Sequence, residues 1–321
     1  MVVPFLLSIL LLLCQHGSGF RFRSTASVGQ GTISANPKTN IPCSQYNRDC
    51  LSRGTDPYNR GGTRKSEFNC STNDGLPCDE VYALRAVISE LGLPSPSISR
   101  SYCSQSDDKS ISITCNCDET TTICHITAVV TYSLSLSGHI HEDLSKLIYL
   151  NKIELSKNFL KESIPASLGN LINLTTLDLS YNMLSGQIPT ELGNLLNLTS
   201  LRLQENQLSG NLPRDLGNLN KLPRFYLNSN NLTGELPESF ANLTSLLSFN
   251  VAGNKLRGKI PPFVANWTKL NYLNLMGNDF EGELPLGILN MSSLRFLWVS
   301  DLTNSGFSFP KFTNLTNMNS L

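Results

Sequence analysis

The chain has 321 residues, in which 25 Lys and Arg balance 25 Asp and Glu, with 40% hydrophobic and only 16% charged residues. A formal net charge of zero argues against electrostatic capture of nucleic acid or of an anionic membrane surface. The balance is uneven along the chain: residues 20–75 carry eight basic and four acidic groups, against seventeen and twenty-one in residues 76–321.

Residues 2–13 form an apolar run (Val2 to Leu13), followed by Cys14 and the small residues Gly17, Ser18 and Gly19. The run is too short to span a bilayer, so residues 1–19 are expected to be a secretory signal peptide. The competing reading is a buried N-terminal helix. No later stretch approaches the roughly 18 apolar residues of a membrane span, so a secreted, soluble mature chain is expected.

Once Cys14 leaves with the leader, eight cysteines remain: Cys43, Cys50, Cys70, Cys78, Cys103, Cys115, Cys117 and Cys124. Export makes them disulfide candidates, with connectivity open. Zinc at Cys115 and Cys117 with His125 is disfavoured because the Cys-x-x-Cys spacing is absent. The pair His139 and His141 lacks companion ligands in the same way. No metal and no cofactor are expected.

Residues 20–75 form a basic, Cys-containing segment. Ile41-Pro42-Cys43-Ser44, Cys50 and Asp56-Pro57-Tyr58-Asn59-Arg60-Gly61 resemble a rapid alkalinisation factor, a basic plant peptide hormone. Gly62 and Phe68 stand where that family has its third and fourth cysteines. The alternative is a disordered leader rich in Gly, Ser, Asn and Arg. Residues 76–125 then read as an N-terminal cap. Asp79 to Leu91 places Val81, Leu84, Val87, Ile88 and Leu91 on one helical face, and Gly92 can end the helix.

From residue 126 the chain is periodic. Pro165, Pro189, Pro213, Pro237, Pro261 and Pro285 are 24 residues apart, and so are Asn158, Asn182, Asn206, Asn230, Asn254 and Asn278. One unit runs Leu174-x-x-Leu177-x-Leu179-x-x-Asn182-x-Leu184-x-Gly186-x-Ile188-Pro189-x-x-Leu192-Gly193-Asn194-Leu195. Leu177 and Leu179 alternate as on a strand with one buried face. The Asn can satisfy backbone groups at the turn, so that stacked copies form a ladder. The Gly-x-Ile-Pro piece is expected to break regular structure, and Leu192 and Leu195 to bury the return path. No unit buries its leucines alone, so neighbours must stack. The fold class is an α/β solenoid with a concave parallel sheet and a disulfide-bearing N-terminal cap. Seven strands at about 4.8 Å give a ladder of about 30 Å. The pattern resembles the plant-type leucine-rich repeat over residues 126–321. In the leading repeat, 126–149, Leu134 replaces the ladder Asn and His141 the Pro. In the seventh Leu302 replaces the Asn, and Asn314-Leu315-x-x-Met318-x-x-Leu321 begins another approach. A product cut short, or one continued in another form, is expected from that ending.

Leu76-Pro77-Cys78-Asp79-Glu80-Val81, Thr114-Cys115-Asn116-Cys117 with Cys124-His125-Ile126-Thr127, and Trp298-Val299-Ser300-Asp301-Leu302 narrow the resemblance. They are similar to the ectodomain of plant leucine-rich-repeat receptor-like kinases that also carry a malectin-like domain. That resemblance implies further repeats, a malectin-like domain, a membrane span and a kinase in the full form. No Gly-rich nucleotide loop or His-Arg-Asp motif is found in the chain, and no catalysis is expected.

Residues between the strand leucines should face solvent. One column runs Glu154, Asp178, Arg202, Tyr226, Asn250, Asn274, Trp298, and the column before it Lys152, Thr176, Ser200, Arg224, Ser248, Tyr272, Phe296. The candidate ligand-binding set is Lys152, Glu154, Asp178, Tyr181, Arg202, Glu205, Arg224, Tyr226, Tyr272, Phe296 and Trp298. Its aromatic and Arg members are of the kind enriched at binding hot spots. Glu154 and Asp178, a repeat apart, are expected to lie in open solvent and so to be poor acid–base catalysts. Asn69, Asn173, Asn197, Asn231, Asn242, Asn266, Asn290 and Asn314 are glycosylation sequons. The expected function is extracellular recognition of a peptide, protein or cell-wall ligand, with a co-receptor or cell-wall glycan as further possible partners. The alternatives are a peptide-hormone-like protein acting through residues 20–75, and a secreted inhibitor of a cell-wall-degrading enzyme.

Overall fold

The computed structural model describes residues 75–93, Cys103, 111–300 and Leu302. The expected signal peptide, residues 20–74 with Cys43, Cys50, Cys70 and Asn69, and the tail with Asn314 lie outside the described residues.

Helix α1 (Cys78–Glu90) buries Val81, Ala83, Leu84, Val87 and Ile88. The helix is followed by Leu91 and by Gly92 at φ +89°, the left-handed turn that glycine adopts without a Cβ clash. Strands β1 (Ser112–Cys117) and β2 (Cys124–Val130) pair antiparallel, and Cys117–Cys124 bridges their ends. A second disulfide joins Cys103 to Cys115, and Cys78 is also disulfide-bonded. These pairings take Cys115 and Cys117 out of any metal site. At the hairpin tip, Asp118 Oδ1 accepts from Thr120 Oγ1 and from the Thr120 and Thr121 amides. Those hydrogen bonds hold its pKa down at about 2.

The helix is fixed to the first repeat by one buried carboxylate. Glu80 Oε2 accepts from the Ile126 amide at 2.8 Å, and Oε1 lies 2.6 Å from His125 Nδ1. The His125 ring stacks on Tyr149 at 3.8 Å. Glu80→Ala leaves the Ile126 N–H buried and unpaired, a loss of about 1–3 kcal/mol. Faster hydrogen exchange at Ile126 and across α1 is the expected readout. Glu80→Gln keeps an acceptor oxygen and should lose less.

Each following repeat contributes one three-residue strand: Lys152–Glu154, Thr176–Asp178, Ser200–Arg202, Arg224–Tyr226, Ser248–Asn250, Tyr272–Asn274 and Phe296–Trp298. They continue β2 in parallel, so the sheet has nine strands. That is two more than the seven expected, because the leading repeat and the cap each add one. The central residues Ile153, Leu177, Leu201, Phe225, Phe249, Leu273 and Leu297 are buried.

Among the described residues, the return path of the repeats is a five-residue 3-10 turn such as Thr190–Asn194 or Arg214–Asn218. The close stacking of these turns explains the Leu-Gly-Asn motif, since a Cβ on Gly193 would meet the Asp215 carbonyl oxygen at 2.4 Å. One expectation needs correction: the Gly-x-Ile-Pro piece does not simply break structure. Ser185–Gln187, Gln207–Asn211, Asn231–Gly234, Lys255–Lys259 and Asp279–Glu281 pair into a second, five-stranded parallel sheet. Gly186, Gly210, Gly234 and Gly258 within these strands, and Gly282 just after the last, sit at φ between +77° and +79°.

The asparagine ladder forms as expected. Asn182 Oδ1 accepts from the Leu160 amide of the preceding repeat at 3.0 Å, and Nδ2 donates to the Leu155 and Leu179 carbonyls at 2.9 and 3.1 Å. Asn230, Asn254 and Asn278 repeat the arrangement. The middle repeats replace leucines by aromatics, and Phe249 meets Phe225, Phe240 and Trp267 at centroid distances of 5.8, 6.4 and 5.0 Å. Trp267 Nε1 donates to the Phe240 carbonyl at 2.9 Å, the pairing a buried indole requires. No helix among the described residues is long and apolar enough to cross a membrane.

Candidate recognition face

The strand register sets the outward columns in rows. Glu154 pairs with Asp178, Asp178 with Arg202, Arg202 with Tyr226, and on through Asn250 and Asn274 to Trp298. Beside it, Lys152 pairs with Thr176, Arg224 with Ser248, and Tyr272 with both Ser248 and Phe296. Alternation with buried residues fixes which side these chains leave by.

The structure divides the candidates into three groups. Tyr181, Tyr226, Tyr272 and Phe296 line one open depression of about 450 Å³ with Gln204, Asn228, Ser248, Asn250 and Asn271. Trp298 extends this group, its ring 5.6 Å from that of Tyr272 and edge-on to it. Arg224 lines an adjoining depression of about 430 Å³ with Lys269 and Arg295, and the two share Ser248 and Asn271. Lys152, Glu154, Asp178, Arg202 and Glu205 line neither.

Within that last group four of the five charges form two pairs. Lys152 Nζ lies 3.1 Å from Glu154, and Arg202 Nη1 lies 3.3 Å from Asp178 Oδ2. Asp178 was expected in open solvent and is instead buried. Its Oδ1 accepts from the Ser180 amide and hydroxyl at 3.0 and 2.6 Å. Further along the same column, Asn250 and Asn274 accept from the Ala252 and Met276 amides in the same way. Three positions of the central column are thus committed to closing the turn after the strand.

Tyr181 and Glu205 occupy a strained backbone position. The residue before each ladder Asn takes a left-handed conformation: Lys157, Tyr181, Glu205, Ser229, Gly253 and Gly277 have φ from +56° to +65°. Tyrosine is an unfavourable occupant of that region, and Tyr181 is nevertheless 48% exposed. Lys157, in the same series, hydrogen-bonds to the Tyr132 hydroxyl, which raises the lysine pKa.

Sequence reasoning missed Gln204, Asn228, Asn271, Lys269 and Arg295. The first two belong to the outward column after the second strand leucine, and the others lie at the strand entry. Extending the column argument by one position on each side would have found most of them. Among the described residues no group of three His, Cys, Asp or Glu is placed to hold a metal ion. His139 and His141 pack 6.2 Å apart, with His139 Nδ1 3.8 Å from Glu90.

The model for the Leucine Rich Repeat family matches residues 173–195, 197–219 and 221–243. A probable leucine-rich repeat receptor-like serine/threonine-protein kinase of Arabidopsis thaliana is 38% identical over 102 residues, 32% of this chain and 8% of that protein. A second probable receptor-like kinase of the same plant is 39% identical over 116 residues, 31% of this chain and 11% of that protein. The chain thus matches only a small share of the length of these relatives. The PEPR1–AtPEP1 crystal structure aligns at TM-score 0.62 with 29% identity, over 70% of this chain and 32% of the other. The leucine-rich-repeat ectodomain of the Arabidopsis thaliana receptor kinase GASSHO1/SCHENGEN3, in complex with CASPARIAN STRIP INTEGRITY FACTOR 2, aligns at 0.51 with 33% identity. That alignment covers 61% of this chain and 26% of the other. The 24-residue units are leucine-rich repeats, and the fold is that of plant leucine-rich-repeat receptor ectodomains.

Proposed function

We propose that the chain is an extracellular, non-catalytic recognition module that binds an extended peptide across the outer face of its nine-stranded sheet. The observation that carries this reading is the depression where Tyr181, Tyr226, Tyr272 and Phe296 converge from different repeats among side-chain amides. Rigid aromatics supply contact area at low entropy cost, and amides can bond a peptide backbone. Gln204 Oε1, shielded from solvent, has no hydrogen-bond partner among the described residues, so an N–H donor from a ligand would satisfy it. The likeness to the PEPR1–AtPEP1 structure and to the complexed GASSHO1/SCHENGEN3 ectodomain supports the same assignment.

The sequons fit this orientation. Asn242, Asn266 and Asn290 end 3-10 turns, Asn231 lies in the five-stranded sheet, and Asn173 and Asn197 precede the strands. Glycans on all six would leave the outer sheet face open. The test is a screen of the secreted full chain against extracellular peptides, followed by titration of variants. Tyr226→Ala and Arg224→Ala should each weaken a bound peptide by about tenfold or more, as expected of hot-spot side chains. Unchanged affinity in both would remove the face assignment.

A further inference from the structure

We infer that N-glycans on Asn173 and Asn197 cover an apolar stripe built from Ile148, Ile172 and Leu196, and that these two sites differ in role from Asn266 and Asn290. This rests on the chain being exported. The three apolar residues are 24 apart and are 56%, 61% and 53% exposed. A solenoid places equivalent positions of successive repeats next to one another, so the three form one continuous stripe rather than scattered exposed residues.

The two sequons are held against this stripe by hydrogen bonds. Asn173 Nδ2 donates to the Ile148 carbonyl at 3.1 Å, and Asn197 Nδ2 donates to the Ile172 carbonyl at 3.0 Å. Each amide that would carry a sugar is therefore seated on the apolar residue of the repeat before it. An amide nitrogen bearing a sugar keeps one N–H, so the contact to the carbonyl can survive modification. Lys221 occupies the equivalent place one repeat further on, and its Nζ donates to Asn197 Oδ1 at 2.9 Å.

The pattern then stops on both sides together. After Leu196 the stripe position becomes Asn220, Thr244, Thr268 and Ser292, all polar. After Asn197 the sequon position becomes Lys221, Ser245, Lys269 and Ser293. Ile172 and Leu196 each precede a sequon, Ile148 precedes Tyr149, and the polar stripe positions after Leu196 precede none. Asn266 and Asn290 are different, because the residues before them are Ala265 and the buried Leu289, whereas Asn242 shares with Leu196 an open depression of about 710 Å³. The pyranose ring of an N-linked N-acetylglucosamine presents a C–H face that can lie on Ile and Leu side chains, removing them from water.

The test expresses the full chain in a eukaryotic secretory host and maps occupancy by mass spectrometry of glycopeptides. Occupancy at both Asn173 and Asn197 is expected. A double variant, Thr175→Ala with Thr199→Ala, removes both sequons while leaving the asparagines in place. It should raise self-association and the binding of an apolar fluorescent dye severalfold relative to the parent. Adding Ile148→Ser, Ile172→Ser and Leu196→Ser to that variant should restore the parent's behaviour. Thr175→Ser with Thr199→Ser keeps the sequons and should behave as the parent does. Should the double variant not be secreted, trimming the glycans enzymatically from the folded parent provides the same comparison. Secretion with Asn242 occupied but Asn173 and Asn197 bare overturns the inference and leaves the export reading intact. Equal dye binding with and without the two glycans also overturns it. Failure of the parent chain to enter the secretory pathway removes the export premise, and the inference falls with it.

Discussion

Phe249→Ala is expected to cost about 3–5 kcal/mol, the range for truncating a buried aromatic residue. Its ring is fully buried and faces three other aromatic rings, from Phe225, Phe240 and Trp267. Phe225 lies in the preceding strand and Phe240 in the preceding 3-10 turn, while Trp267 closes the following turn. The cavity therefore opens between repeats, where a solenoid's stability depends on nearest-neighbour contact. Backbone hydrogen bonds from both neighbours hold this strand in place, so the void cannot close by a local shift. Chemical denaturation should show loss of the middle repeats at lower denaturant, with hydrogen exchange rising first in strands Arg224–Tyr226 and Tyr272–Asn274. Trp267→Phe should lose less, about 1–2 kcal/mol, by leaving the Phe240 carbonyl unpaired while keeping most of the volume. A Phe249→Ala loss below about 1 kcal/mol would show that the cluster contributes no interface energy.

The 24-residue step made the stacking, the inward leucines and the asparagine ladder legible, because each follows from one repeated position and a two-residue alternation. The second sheet was not legible for a physical reason. Its strands are three to five residues long, and all but Asp279–Glu281 contain a glycine, so they offer little alternation or β propensity. They exist because the left-handed glycine turns the chain so that adjacent repeats can pair. The 3-10 turns did leave a signal, the i, i+3 spacing of Leu192 and Leu195, which matches three residues per turn. At the site, register carried the columns as far as placement but not as far as role. Asp178 was read as an outward binding position, and Asn250 and Asn274 as solvent-facing members of the same column. Their short acceptor side chains, each two residues before a turn amide, already pointed to turn closure. The left-handed position of Tyr181 and Glu205 was likewise visible in the sequence. Gly253 and Gly277 stand at the equivalent place in later repeats, and glycine recurring at one repeat position marks a positive φ.

Asn230→Ala should destabilise the solenoid by about 2–4 kcal/mol, since it strips partners from several buried backbone groups at once. Asn230 Oδ1 accepts from the Leu208 amide at 3.0 Å, and Nδ2 donates to the Leu203 and Leu227 carbonyls, each at 3.0 Å. Alanine removes all three contacts in a site too enclosed for water to replace them fully. The comparison with Asn230→Asp separates hydrogen bonding from volume. Aspartate has the same shape and can still accept from Leu208, so a purely steric ladder would tolerate it. An ionised carboxylate cannot donate, however, and sets negative charge against the oxygens of Leu203 and Leu227. Asp should therefore be worse than Ala at neutral pH, even though it fills the space. Asn206→Asp provides the internal control, because Asn206 makes the equivalent contacts to Leu184, Leu179 and Leu203 but is only half-buried. Weaker desolvation there predicts the same order of effects with smaller size. If Asp proved milder than Ala at Asn230, the ladder would be acting as a spacer. The donor bonds to the two carbonyls would then not be what ties one repeat to the next.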